Sequence, residues 1–307
     1  MENFLTVAQQ VMVLFLLIAV GFILAKKNVI TDNGAKVCSD IALFVATPCV
    51  IIRSFCREVS GDLVVDLLLA VGASFLIHGI GIAVGHLCFR KNNDTHRVYR
   101  MAVVFSNAGF MALPLQQAIL GDDGVLFGAA YVAVFNIMLW SYGQILMDKN
   151  MQKISVKKVL INPGTLGLVG GLIVLLSGIE LPTVIAAPIN HLANLNTPLP
   201  MLFIGYYLSK VDLKKALRRG DYFAVSAVRL IVVPCIAAAV LYLCGASTVF
   251  LTSMVIAATA PIAASTPMFA TRYERDTESA VSLVALSTIL SIVTMPILVA
   301  VVQAICK

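Results

Sequence analysis

Ten apolar runs, each near the length needed to cross about 30 Å of hydrocarbon, follow one another along this chain. They lie near 5–25, 37–56, 63–89, 99–120, 124–147, 163–178, 184–208, 222–243, 248–271 and 280–305. Only a bilayer can accommodate so many. Of the 307 residues, 60% are hydrophobic and 12% charged, against roughly 25% charged in a soluble domain. A water-soluble chain of this composition would expose too much apolar surface to stay monomeric. The net charge of +6 does not indicate nucleic acid, because the basic residues are scattered through short loops. The expected partners are the lipid bilayer and a small solute, with no nucleic acid.

Those basic residues are distributed unevenly. All but four of the 22 lysines and arginines fall in alternate loops, around Lys26–Lys36, Arg90–Arg100, Lys149–Lys158, Lys210–Arg219 and Arg272–Arg275. The exceptions are Arg53, Arg57, Lys307 and Arg229, the last inside the eighth run. The positive-inside rule places these loops in the cytoplasm and both termini outside, as expected for a plasma-membrane protein. Residues 1–147 hold five runs and residues 163–307 hold five, joined by a short cytoplasmic linker at 148–162. Five is odd, so the second half enters the membrane inverted, which is the condition for an inverted repeat. Two echoes support this: Thr47-Pro48 lies 150 residues before Thr197-Pro198, and Pro114 lies 153 before Pro267. The first run lacks a basic leader and ends at Lys26-Lys27, so it reads as a membrane helix and not a cleaved signal. The seven cysteines form no CxxC pair, and His78, His86, His96 and His191 show no metal spacing. No cofactor is expected.

Two of the runs carry residues that a simple spanning helix has no use for. Ser106–Leu115 contains Asn107, Gly109 and Pro114; Ala258–Met268 contains Pro261 and Pro267. Proline removes a helical amide and crowds the carbonyl four residues back, so the helices are expected to break or kink near Pro114 and near Pro261–Pro267. Paired interruptions in matching places of two halves are a sequence pointer to a transport site. A half-helix that restarts inside the membrane presents bare amides and a positive dipole end, which suit a carboxylate. The candidate substrate contacts are Asn107, Gly109, Pro114, Gln116, Pro261 and Pro267, with Thr47 and Asn196 from the echoed segments. A bond to a neighbouring helix is the alternative for Asn107. Asn136, Gln117, Gln144 and Asn194 are further polar candidates, for which interhelical bonding is an equal alternative. Asp40 is a candidate proton carrier or a helix-end charge. Arg229 would neutralise a substrate, pair with a protein acid or snorkel, with a structural role favoured.

At these residues the chain resembles the auxin efflux carrier family, which includes plant PIN-FORMED carriers and bacterial organic-acid permeases. The resemblance is carried by Cys38 through Pro48, Asn107 through Gly121, Ile161-Asn162-Pro163-Gly164-Thr165, Val228-Arg229-Leu230 with Pro234, and Ala260-Pro261 with Thr266-Pro267. It implies an all-α integral membrane protein of the bile-acid-sodium-symporter type. Ten helices would form two inverted five-helix repeats, with helices four and nine broken and crossing at mid-membrane. Helices 1, 2, 6 and 7 would form a scaffold, helices 3–5 and 8–10 a mobile transport domain, and two chains a homodimer. The implied substrates are small carboxylates such as malate, malonate or auxin-like acids. The long cytoplasmic loop of many plant members is absent, so regulation through it is not expected.

A secondary carrier for organic anions is therefore the leading function. An anion channel or a non-transporting sensor of organic acids is the alternative. No GxxxxGK[ST] loop is present for an ATP-driven pump, and no HExxH or nucleophile–histidine pattern for an enzyme.

Overall fold

The computed structural model describes residues 2–56, 61–149, 163–177 and 181–306. Arg57 and linker residues 150–162 lie outside them. Helices joined by short connections make up the described residues, with no strand among them. The helices are α1 (Glu2–Lys26), α2 (Asp32–Phe55), α3 (Gly61–Cys88), α4 (Asp94–Val104) and α5 (Ala108–Met147) in the first half. In the second they are α6 (Pro163–Ser177), α7 (Thr183–Ala193), α8 (Pro198–Lys210), α9 (Leu213–Ala216), α10 (Gly220–Leu243), α11 (Thr248–Thr259), α12 (Ser265–Arg272) and α13 (Thr277–Ile305). Six of these, α1, α2, α3, α5, α10 and α13, are long and apolar enough to cross a membrane. At 40 residues, α5 is longer than one crossing requires. It turns at Gly121, whose φ of 65° and ψ of −149° are open to glycine at little cost.

Pro114 does not act as the sequence suggested. Helix α5 continues through Pro114, and the turn before it, Ala108–Ala112, widens to a π-turn in which the Leu113 amide donates to Ala108 O five residues back. The same device precedes Pro48, over Ala42–Ala46, and Pro234, over Val228–Val232. A widened turn gives the proline ring room where it would otherwise meet the preceding turn's carbonyl. The break expected at Pro114 lies instead at Phe105–Asn107, ahead of α5. Its counterpart, residues 260–264, does contain Pro261, while Pro267 sits inside α12.

Residues 1–147 pack against residues 163–307 at several places, among them α2 against α6 and α7 and α1 against α13; two such junctions bear on the site. Helix α1 runs along α8, where a Cβ on Gly21 would stand 2.3 Å from Leu202 O and one on Gly205 2.1 Å from Ile18 O. Only glycine permits that approach. The second junction lies between α4–α5 and α11–α12, beneath a buried layer that includes Tyr131, Leu113, Met254 and Ile256.

Candidate functional site

Helix α4 stops at Val104, and Phe105 is extended (φ −101°, ψ 111°). Helix α11 stops at Thr259, and Ala260 is likewise non-helical (φ −58°, ψ 145°). Having left their helices, both segments must find other partners for their backbone groups. They find them in each other: Asn107 N donates to Pro261 O at 2.7 Å, and Ala263 N donates to Phe105 O at 2.9 Å. Ser106 and Ile262 thereby form an isolated antiparallel bridge. A third amide, Ile262 N, donates to Ser287 Oγ at 3.1 Å. The crossing is thus less bare than expected, since three of its amides are already bonded.

What stays open faces a cavity of about 310 Å³ beside the crossing. Its walls come from α2 (Ser39, Leu43, Phe44, Thr47), from the first crossing segment and start of α5 (Ser106, Asn107, Gly109, Phe110), from the later α5 (Val132, Phe135, Asn136, Leu139, Trp140) and from the second segment and α12 (Ala263, Ala264, Ser265, Met268). Among the described residues, no ionisable side chain lines it. Gly109 and Phe110 are early positions of α5, where amides have no acceptor within the helix. A side chain at position 109 would enter open space. The Ser265 hydroxyl, at the start of α12, is buried without a hydrogen-bond partner among the described residues. Asn136 uses Nδ2 on Val132 O at 2.8 Å, within its own helix.

The candidates read from the sequence separate into groups. Asn107, Gly109 and Thr47 line the cavity. Asn196 does not, but its Oδ1 lies 2.7 Å from Thr47 Oγ1, which also reaches Ala42 O at 2.9 Å, so Asn196 positions Thr47. Pro114 and Pro261 are buried off the cavity wall. Gln116 is fully buried and donates through Nε2 to Ser253 O at 2.9 Å and Ser253 Oγ at 3.0 Å, tying α5 to α11. Pro267 borders a separate apolar crevice of about 30 Å³ between α8 and α13. Asp40 is exposed at the end of the first turns of α2 and is not on the cavity wall. Gln117 and Asn194 accept from Arg53, at 3.3 Å and 3.0 Å.

Arg229 is completely buried. Nη1 donates to Val103 O at 3.1 Å and Nη2 to Ala258 O at 2.7 Å. It braces the two helix ends and is not on the cavity wall. Sequence reasoning passed over Ser106, Ser265, Phe110 and Trp140. The signal for Ser106, Phe110 and Ser265 was their place in the stretches already singled out; for Trp140 there was none, because nothing in its local sequence distinguishes it from a lipid-facing residue.

The chain matches the membrane transport protein family over residues 6–299. It is 26% identical over 301 residues to an uncharacterized transporter of Methanothermobacter thermautotrophicus, covering 96% of this chain and 98% of that one. It is 22% identical over 294 residues to an uncharacterized transporter of Methanocaldococcus jannaschii, covering 92% and 94%. A match of this extent means that the chain belongs to the membrane transport protein family, that of the auxin efflux carriers.

Proposed function

We propose that this protein is a secondary carrier that moves a small organic anion across the plasma membrane by alternating access, binding it in the cavity beside the crossing. The observation that carries the reading is the junction of two helix interruptions, through backbone bonds, at the wall of a cavity with open amides. The substrate carboxylate would meet Asn107, the amides of Gly109 and Phe110, and Ser265. Phe44, Phe110, Phe135 and Trp140 would hold an apolar body. With no cation on the wall to take a second carboxylate, a monocarboxylate fits better than malate or malonate.

In this reading the chain crosses the bilayer ten times as two inverted halves. Helices α4 and α11 are completed as crossings by the first part of α5 and by α12. Helices α1, α2 and α6–α8 form the scaffold, and α3–α5 with α10–α13 the moving part. Both termini lie outside, and the family resemblance makes a homodimer the expected assembly. The cavity reaches toward Trp140 and Met268, near Arg272, whose guanidinium carbon lies 5.8 Å from the Trp140 ring centre. Arg272 ends α12 beside a loop assigned to the cytoplasm by charge, which supports reading this as an inward-facing arrangement. On the opposite side Arg53 of α2 links Asn194 and Gln117 and closes the path between scaffold and moving part.

Purified protein in liposomes provides the test. A carrier shows saturable uptake of a labelled monocarboxylate such as phenylacetate, accelerated by the same compound preloaded on the other side. Uptake without saturation or counterflow would show a channel, and no uptake of any mono- or dicarboxylate would remove the proposal.

A further inference from the structure

A cavity without a charged side chain needs a reason to prefer anions, and the crossing alone does not supply one. Four helix ends meet there. Helices α5 and α12 begin at it, with positive ends, and α4 and α11 finish at it, with negative ends. Left to themselves the two pairs largely cancel. Arg229 breaks the balance, because its fork takes one carbonyl from the last turn of α4 and one from the last turn of α11. It is fully buried, and no carboxylate pairs with it among the described residues. A full positive charge therefore sits behind the crossing, answered by two carbonyls and the Tyr131 hydroxyl and by no carboxylate among the described residues.

We propose that Arg229 is the positioning residue that makes the cavity select anions, without touching the anion. By neutralising the carbonyl ends of α4 and α11, it leaves the amide ends of α5 and α12 as the net field in the cavity. The inference rests on the reading of this cavity as the anion site. The groups facing the guanidinium are the Tyr131 hydroxyl, which also lies 3.3 Å from Ser106 Oγ on the cavity wall, and His78, whose ring centre is 5.0 Å from that of Tyr131. His78 Nδ1 donates to Ser74 O at 2.7 Å.

The test compares phenylacetate with its neutral isostere phenylacetamide, titrated at pH 6 into the full chain in lipid nanodiscs. Wild-type protein should bind the acid about ten-fold more tightly than the amide, the size expected of one charge acting across several ångströms of protein. Arg229→Gln keeps hydrogen-bond donors and loses the charge; the preference should fall below about three-fold while the affinity for the amide is unchanged. Arg229→Lys restores the charge without the fork, and should return the preference even where it lowers thermal stability. If Arg229→Gln does not fold, Arg229→Lys decides alone. A cooperatively melting Arg229→Gln protein with the full preference, or an Arg229→Lys protein that binds the amide normally without preferring the acid, overturns the inference and leaves the anion site standing. Wild-type protein indifferent to the charge of the probe overturns both.

Discussion

Two of the junctions between residues 1–147 and residues 163–307 solve the same problem in opposite ways. Where α1 meets α8, both chains stay helical, every amide in the contact is satisfied along its own helix, and Gly21 and Gly205 let the backbones touch. Nothing can enter. Where α4–α5 meets α11–α12, both chains leave the helix, and the exposed amides and carbonyls trade partners across the gap. That trade is incomplete, and a cavity lies where it stops. Close packing through glycine yields a rigid joint. Crossing through extended backbone yields a joint with hydrogen-bonding capacity left for a solute.

Substitutions at the two junctions should therefore fail differently. The largest expected effect is at the closed one. Gly205→Val places a Cβ 2.1 Å from Ile18 O and 2.6 Å from Phe22 N, both backbone atoms that cannot step aside. Overpacking of this kind costs about 1–3 kcal/mol or more. Thermal melting of the purified protein should show a clearly lower midpoint, and a wild-type midpoint would mean that α1 and α8 do not pack this closely.

At the open junction Asn107→Ala should leave the melt nearly unchanged, because the bond to Pro261 is made by backbone. Carboxylate affinity should fall by about ten-fold, the loss of one hydrogen bond to a charged group. Isothermal titration with phenylacetate measures this, and equal affinities would take Asn107 out of the site. Gln116→Leu should do the reverse. It removes the donor to Ser253 and lowers stability by about 1 kcal/mol, with binding untouched, as a paired melt and titration would show. The smallest effect belongs to Asp40→Asn. Exposed and off the cavity wall, this carboxyl should be dispensable, so the pH profile of liposome uptake should match wild type. A flattened profile would restore Asp40 as the proton carrier.

Legibility in the sequence was uneven. The polar stretches around Asn107 and Pro261 are visible as breaks in apolar composition, and these stretches do supply cavity residues. Pro261 does lie in its interruption, but Pro114 misled as a marker of the other. Pro114 is accommodated by the π-turn before it, and the chain actually leaves the helix at Phe105. Gln116 and Asn107 look alike as amides in one apolar run. Only their neighbours separate them: one meets Ser253, the other the cavity. Arg229 is legible as a buried charge, but its two acceptors lie 126 and 29 residues away, and no local pattern pairs them.

Apolarity adds up locally along a chain, residue by residue, and so the amino-acid order alone determined residence in the membrane, the loops carrying positive charge and the two stretches unfit for plain helix. Which side chains share a cavity depends on helix phase and on contacts between segments about 150 residues apart, which local composition does not encode. Tertiary structure therefore decided that Asn107, Thr47 and Ser265 share one wall, that Gln116 and Pro267 do not, and that Arg229 stands behind the crossing.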